Sequence, residues 1–101
     1  MEQPDAIIHQ PLRLKIMAAL KALPRGERLE FVRLRALLNA TEGNLGAHLG
    51  TLETAGYIKI EKDFNGKKPR TRVSLTGAGM LAYRDYVAFL RAILDGETSA
   101  P

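Results

Sequence analysis

The first apolar pattern of the chain has helical spacing. Four large apolar side chains fall on one face if residues 11–23 are helical, namely Leu12, Ile16, Leu20 and Leu23. Pro11 suits the first turn of a helix, and the sequence Pro24-Arg25-Gly26 favours its end. The pattern therefore predicts a helix over residues 11–23, and a short extended piece follows at residues 28–31.

Two further helical segments are separated by a tight turn at Asn39-Ala40-Thr41. The shorter segment covers residues 32–38, and its inward positions are predicted to be Leu34, Leu37 and Leu38. The longer segment runs to Ala55, with Thr41 as its N-cap and Gly56 as its C-terminal cap. Its buried stripe is predicted to be Leu45, Leu49 and Leu52. Two helices joined by such a turn are typical of a helix-turn-helix.

The pattern then changes from helical spacing to alternation. Residues 57–62 and 70–75 alternate, and Asn65-Gly66 between them predicts a hairpin. Pro69 places the start of the return strand at an edge or in a bulge. If Asn65-Gly66 forms a two-residue loop, Ile58 lies opposite Val73, Glu61 opposite Arg70 and Asp63 opposite Lys68. Lys59 would then face Arg72, a like-charge pair that a phosphate between them would stabilise.

A last helix is predicted from Thr76 to about Asp95. One apolar stripe on it is expected to meet the domain core, and it consists of Met80, Tyr83, Val87, Leu90 and Leu94. A second apolar group exceeds what one small domain can cover, and it consists of Ala82, Tyr86, Phe89 and Ile93. We expect this second group to form a two-fold dimer interface, helped by Ile7 and Ile8. The alternative is a wider core within one monomer.

Three helices, a hairpin and a final helix are the element order of a winged helix-turn-helix domain. The predicted fold class is α+β, mainly α, with one domain over residues 1–95. Within it, residues 32–55 form the helix-turn-helix, residues 57–75 the two-stranded wing and residues 76–95 the dimer helix. Residues 96–101 are predicted to be a flexible tail. A chain of 101 residues has room for one core only.

The charge of the chain is concentrated in the predicted wing. Residues 59–72 hold six cations against two acids, an excess that equals the net charge of +4 for the whole chain. A charge excess on one projecting element is typical of a polyanion-binding surface. We therefore predict phosphate contacts from the wing residues Lys59, Lys67, Lys68, Arg70 and Arg72. The alternative is a charged hairpin that is simply solvated.

Composition excludes several other functions. The chain has no cysteine, which removes disulfides, thiol catalysis and thiolate metal sites. The two histidines, His9 and His48, are too few for a metal site, and no cofactor is expected. No signal peptide or membrane span is recognisable, so a cytoplasmic protein without membrane contact is expected. The sequence shows no nucleophile–base pair and no phosphate-binding loop, so nothing in it indicates an enzyme. A small-molecule effector stays unknown, although Tyr83, Tyr86 and Phe89 would suit one.

The outward face of the third helix is small and uncharged. There is no Lys or Arg from Thr41 to Thr54, and two glycines, Gly46 and Gly50, lie inside the helix. A helix of this kind can approach the major groove closely, with Asn44 as the best candidate for reading a base. The DNA-contact candidates around it are Thr41, Asn44, Ala47, His48 and Thr51, together with Arg33 and Arg35 for phosphates. His48 is equally consistent with a boundary position, and a surface helix without a partner is the alternative for the whole face.

Several stretches resemble a family of small winged-helix transcriptional regulators related to the MarR and ArsR groups. They are residues 8–17, 41–49 and 52–58 and the wing segments 61–62, 68–71 and 75–77. The resemblance covers about residues 7–94 and implies a homodimeric DNA-binding regulator without enzymatic activity. The family usually carries Ser, Lys or Arg where this chain has Gly46, Ala47 and Gly50.

The predicted function is therefore regulation of transcription. We expect a homodimer on a roughly palindromic site in double-stranded DNA, with each third helix in a major groove. Each wing would lie on the adjacent backbone or minor groove. The absence of cations on the third helix leaves an alternative, a winged-helix module that binds another protein and binds DNA weakly or without specificity.

Overall fold

The computed structural model describes residues 4–96. Its elements are α1 (Pro11–Lys21), β1 (Leu29–Glu30), α2 (Phe31–Leu38), α3 (Glu42–Thr54), β2 (Ile58–Asn65), β3 (Lys68–Leu75) and α4 (Gly77–Leu94). The order and the mainly helical content confirm the α+β winged-helix fold. Each of the four helices begins and ends within two residues of its predicted bounds. Most of the predicted tail, residues 97–101, lies outside the described residues.

The helices pack on one face of the sheet around a single apolar core. The predicted stripe of α3 is confirmed, because Leu45, Leu49 and Leu52 are at most 2% exposed. Leu37 was wrongly predicted to point inward, since its side chain is 64% exposed. The helix α2 packs mainly against α1, β1 and β3, and Leu34 occupies the buried position on that side.

The wing belongs to a three-stranded antiparallel sheet with the order β1-β3-β2. The sequence predicted two strands, but the short extended piece pairs with β3 through Leu29 opposite Val73 and Glu30 opposite Arg72. Because β1 ends there, the outer half of the hairpin has no neighbouring strand. Pro69 lies in this outer half, opposite Phe64. Among the described residues no strand pairs with the outer edge of β3 at this point, so the N–H that proline lacks is not needed for a hydrogen bond.

The predicted register of the hairpin is wrong by two residues. Asn65 pairs with Lys68, so the two-residue loop is Gly66-Lys67. Gly66 has φ +67° while Lys67 has negative φ, which is the pattern of a type II′ turn with glycine first. A shift of two positions keeps every side chain on its predicted face.

The charge pairs across the hairpin change with the register. Lys59 lies opposite Ser74, and Arg72 lies opposite Glu61. The predicted phosphate clamp between Lys59 and Arg72 is therefore absent. Asp63 lies opposite Arg70 and not opposite Lys68.

The predicted core stripe of α4 is confirmed only in part, because Tyr83 and Leu90 pack against the core but the two ends of the stripe do not. Gly79 and Tyr86 are its buried residues, and they are seven positions apart, so they nearly eclipse each other on the helix. A Cβ on Gly79 would collide with the backbone carbonyl of Tyr57, and this close approach sets the rotation of the helix. As a result Met80 is 42% exposed and Leu94 is 81% exposed, although both were predicted to be buried.

Two residues predicted for a dimer interface belong to the core of the monomer. Ile8 is fully buried and Tyr86 is 5% exposed. The Tyr86 hydroxyl lies 2.6 Å from Nδ1 of His9, so the segment before α1 is tied to α4. Their assignment to a dimer surface was wrong, because the chain itself already covers them.

Candidate nucleic-acid interface

The turn between α2 and α3 is fixed by the residues around it. Asn39 ends α2 with φ 50°, a left-handed conformation that asparagine tolerates. Arg35 Nε donates to the carbonyl of Ala40 at 3.2 Å. Thr41 is the N-cap of α3, as predicted, and its hydroxyl accepts from the backbone N–H of Asn44 at 3.1 Å. These contacts set the angle at which the amino end of α3 leaves the domain.

The amino half of α3 presents an exposed surface of small and neutral residues, and its one acid is Glu42 in the first turn. Gly43, Asn44, Gly46 and Ala47 are all exposed. Within residues 4–96, the side-chain amide of Asn44 has no hydrogen-bond partner. Thr51 Oγ1 donates to the carbonyl of Ala47 at 3.3 Å, so its proton is used inside the helix and only acceptor capacity remains.

The glycines of α3 have no intramolecular role. A Cβ on Gly43, Gly46 or Gly50 would meet nothing within 4 Å of the described chain. Each glycine costs about 0.5–1 kcal/mol relative to alanine inside a helix. The packing of the monomer does not account for that cost.

A shallow and mostly apolar groove follows the carboxyl half of α3. One wall is Ile7 from the segment before α1, and the other residues are Ala47, Gly50, Thr51, Thr54 and Ala55. The groove carries no charge. It continues the surface of small and neutral residues in the amino half.

His48 joins α3 to α1. Arg13 Nη1 donates to His48 Nδ1 at 3.0 Å, and Arg13 Nε donates to the carbonyl of Ile7. Because a guanidinium can only donate, His48 must carry its proton on Nε2 in this arrangement. His48 is half-buried, which favours the boundary position that the sequence had left open.

The arginines of the wing are engaged within the wing. Asp63 accepts from Arg70 Nε at 2.9 Å and from Arg70 Nη2 at 3.0 Å. Its second oxygen also accepts from Arg72 Nη2 at 2.7 Å. The hydrogen bonds and charge of Arg70, with those of Arg72, lower the pKa of Asp63 to about 2. Two of the predicted phosphate contacts are therefore partly neutralised.

The lysines of the wing are free. Lys59, Lys62, Lys67 and Lys68 are exposed, and among the described residues none of them has an ion-pair partner. The other acid of the wing, Glu61, lies 3.3 Å from Arg28. The uncompensated charge of the hairpin therefore sits on the lysines, including Lys62, which the sequence reasoning had not placed among the contacts.

The exposed residues of α2 add one further free cation near the turn. Arg33 is exposed and has no partner among residues 4–96. Arg35 holds the turn through its Nε, and its two Nη groups stay available. Neither arginine is brought against the lysines of the wing by any described contact.

The base of the wing is held by residues that the sequence reasoning missed. The Tyr57 hydroxyl donates to Asp5 at 2.6 Å, and this contact, with burial, raises the pKa of Tyr57 to about 12. The other oxygen of Asp5 accepts from the N–H groups of Ile7 and Ile8. The only sequence signal was an aspartate three residues before a buried isoleucine, a pattern that is typical of local capping.

Two clefts lie away from α3. The larger, about 600 Å³, lies beside the ion-paired face of the wing, between the end of α1, residues 24–28 and the strands. The smaller, about 260 Å³, lies between Asp5, Tyr57 and α4, and its wall includes Tyr86 and Phe89 but not Tyr83. Among the described residues no group of three His, Asp or Glu side chains could hold a metal ion. Nor is any described helix long and apolar enough to cross a membrane.

Residues 12–94 match the model of a family described as winged helix DNA-binding domain. The chain belongs to this family. A relative of the winged helix domain, an uncharacterized protein of Methanocaldococcus jannaschii, is 35% identical over 81 residues, which cover 80% of this chain and 85% of the relative. The description of this family names DNA as what its domain binds.

The domain is similar to solved structures of transcriptional regulators. A transcriptional regulator homologue from Pyrococcus horikoshii OT3 has a TM-score of 0.80 and 37% identity, covering 89% of this chain and 86% of its own. A PadR family transcriptional regulator from Eggerthella lenta DSM 2243 has a TM-score of 0.66 and 26% identity, covering 88% and 86%. The resemblance to winged-helix regulators is confirmed. Its finer assignment to the MarR and ArsR groups is not.

Proposed function

We propose that this protein is a homodimeric transcriptional regulator that binds a roughly palindromic site in duplex DNA. The observation that carries the proposal is the pairing of an exposed α3 that has no Lys or Arg with a wing that bears four free lysines. A helix without Lys or Arg has no side-chain cation to attract phosphates. The lysines supply the attraction for phosphates that the helix lacks.

We place α3 in the major groove. Its three glycines have no role inside the monomer, whereas a backbone that must approach DNA closely requires small residues. Asn44 lies near the amino end of the helix, where recognition helices contact base edges. Its free amide can bond both N6 and N7 of an adenine. Thr41, Ala47 and Thr51 lie along the same surface and would contact sugar, phosphate or a thymine methyl group.

The wing would supply most of the affinity. Each lysine that neutralises a phosphate releases counterions, so binding through the wing weakens steeply as salt rises. Lys59, Lys67 and Lys68 are the contacts that we retain from the sequence, and we add Lys62. Arg70 and Arg72 would mainly shape the hairpin, while Arg33 and Arg35 would position the domain on the backbone.

The dimer would form through the carboxyl-terminal part of α4. The helix face that is buried at Tyr86 continues along the helix through Phe89 and Ile93, with Leu94 beside it. Ile93 is 44% exposed and Leu94 is 81% exposed, and the molecule is elongated, measuring 61 × 26 × 21 Å. A second copy that covers this extension would bury both side chains. Ala82 lies closer to the monomer core and would border the interface.

The likeness to a PadR family regulator supports grouping the protein with PadR-like regulators rather than with the MarR or ArsR groups. A regulator of this kind acts on chromosomal DNA, so we propose that the protein is cytoplasmic, as it would be in a prokaryote. No effector is assigned.

The proposal is tested by titrating the protein onto its own upstream region and onto random duplex at several salt concentrations. We expect preference for the upstream region, and we expect Asn44→Ala to reduce the preference more than the overall affinity. Thr54→Ala, at the exposed other end of α3, is the matched control and should leave the preference unchanged. Equal binding of all sequences by the unaltered protein would contradict sequence-specific regulation.

A second function is favoured by the uncharged groove between Ile7 and α3. The same small-residue surface would suit a helix or loop of another protein, and the wing would then hold DNA only loosely. In that case Ala47→Glu would abolish association with the partner. It would leave the weak, salt-dependent binding of DNA by the wing intact.

A further inference from the structure

We propose that Phe64, at the outer end of the wing, inserts against the bases of the minor groove. The inference rests on the proposed binding of duplex DNA and names one contact within it. The observation behind it is an exposed aromatic ring among free lysines at the end of a hairpin.

Phe64 is the one large apolar side chain of the outer wing. Its side chain is 67% exposed, and its neighbours along β2 are Asp63 and Asn65. The outer hairpin has no third strand, because β1 pairs only with Val73 and Arg72. Within residues 4–96 no element therefore covers the ring, and the free protein leaves it in water at a cost.

The register places Phe64 on the same face of the sheet as the recognition helix. Side chains alternate between faces along a strand, so Phe64 shares a face with Ile58 and Lys62. Ile58 is 2% exposed and packs in the core with Leu49 and Leu52 of α3. The ring thus lies on the helix side of the wing, farther from the body of the domain.

The two faces of the wing differ in charge. Asp63 and its two arginine partners lie on the face away from Phe64. The face of Phe64 holds Lys62 and no acid, and Lys67 lies in the adjoining loop. A ring beside Lys62 and Lys67, with no acid on its face, fits a polyanion and repels the wing of a second copy.

The reach of the wing matches the geometry of DNA. Six residue steps separate Ile58 from Phe64, which at about 3.3 Å per residue is about 20 Å. Half a helical turn of B-DNA is about 17 Å, the axial offset from a major groove to the neighbouring minor groove. With α3 in the major groove, the ring reaches the minor groove beside it.

An aromatic ring in that position has a known physical effect. Apolar wedges between base steps unstack them partially and bend the duplex toward the major groove. Flexible pyrimidine–purine steps open most easily, so the wedge would also select sequence at a position that no hydrogen bond reads. Phe64 would therefore contribute to specificity as well as to affinity.

The test uses the full chain, which contains no tryptophan. Phe64→Trp introduces one tryptophan at the site, which can be excited selectively over the three tyrosines, and we expect its emission to be quenched and shifted on binding duplex DNA. A duplex with 2-aminopurine at the contacted step should brighten with the unaltered protein and stay dark with Phe64→Ala. The Phe64→Ala variant should bind about 5- to 100-fold more weakly with an unchanged salt slope, whereas Lys62→Ala should lower the slope and keep the 2-aminopurine signal.

Three outcomes overturn the inference. An unchanged affinity for Phe64→Ala, together with a silent 2-aminopurine probe, would show that the ring does not touch bases. A change in sedimentation of Phe64→Ala, with DNA binding intact, would assign the ring to contact between protein copies. If the unaltered protein binds no duplex at 50 mM salt, the proposed function fails and the inference with it. Circular dichroism equal to that of the unaltered protein confirms that the exposed position leaves folding intact.

Discussion

Asp63 and Arg70 face each other across the hairpin and form two hydrogen bonds, at 2.9 and 3.0 Å, through both carboxylate oxygens. Such a bidentate pair fixes two neighbouring strands at one register. The pair also divides the cations of the wing into those engaged by Asp63 and those that stay free. That division decides which residues can neutralise phosphates.

The free lysines should dominate the salt dependence of DNA binding. Lys67→Ala and Lys68→Ala should each lower the slope of log K against log salt by about one. Arg70→Ala should lower it by less, because Asp63 already neutralises part of that charge. Titrations at 50–200 mM salt measure the slopes, and Lys15→Ala on α1 is the control. An equal loss for Arg70→Ala and Lys67→Ala would contradict the division.

Removing the carboxylate should have the opposite effect. Asp63→Asn keeps the size of the side chain but releases Arg70 and Arg72 from their charge partner, so binding to all duplexes should tighten and the salt slope should steepen. Glu53→Gln, an exposed acid on α3 without an ion-pair partner among residues 4–96, is the matched control for the change in net charge. If both variants tightened binding equally, only net charge would matter.

Gly79 should be the least replaceable glycine of the chain. A Cβ there would collide with the backbone carbonyl of Tyr57, which cannot move aside as a flexible side chain can. Gly79→Ala should lower the free energy of unfolding by about 1–3 kcal/mol, measured by urea denaturation. Gly77→Ala, two residues earlier with open space around its Cβ, should be neutral or slightly stabilising. A neutral Gly79→Ala would show that α4 can withdraw from the wing.

Tyr57 should titrate later than an ordinary tyrosine. Its hydroxyl donates to Asp5, which raises its pKa from 10.0 to about 12. The folded state therefore holds this proton more tightly, so the contribution to stability is complete below pH 10 and is lost as the pH rises toward 12. Phenolate absorbance should show a late component from Tyr57, and Tyr57→Phe should remove it. If the late component persisted in Tyr57→Phe, the contact with Asp5 would not be its cause.

The proposed dimer depends on the exposed end of α4. Leu94→Glu places a charge on a side chain that is 81% exposed, so it should leave the monomer folded and separate the copies. Sedimentation at micromolar concentration should show about twice 11.1 kDa for the unaltered chain and 11.1 kDa for the variant. Val32→Glu, at a 63% exposed position on α2, should not change the mass. A single 11.1 kDa species for the unaltered protein would refute the dimer.

The helices and the helix-turn-helix could be predicted from the sequence because their signals are local. Thr41 as an N-cap and the leucine stripe of α3 depend on spacing within one helix, and both are confirmed. The pairing of Leu29 with Val73 could not be predicted, because it joins residues 44 positions apart through backbone groups. The register error had a different, local origin, since Asn-Gly and Gly-Lys both permit a two-residue turn.

The separation of the wing cations into those engaged by Asp63 and those that stay free could not be predicted, because it depends on contacts between strands and not on a periodic pattern. Asp63 was expected to oppose Lys68, and only the true register shows that it engages Arg70 and Arg72 instead. Met80 and Leu94 of α4 were misassigned because a glycine, which has no hydrophobic signal, sets the rotation of the helix. Asn44 and the other contact residues of α3 stay predictions that the DNA measurements test.

The central claim is that the free lysines of the wing hold the protein on duplex DNA. Its most direct test is the salt dependence of binding to one labelled duplex by the unaltered protein and by a variant with Lys59, Lys62, Lys67 and Lys68 all changed to Ala. We expect binding that weakens steeply with salt for the first, and a slope lower by about three to four for the second. Equal slopes for the two proteins would contradict the account.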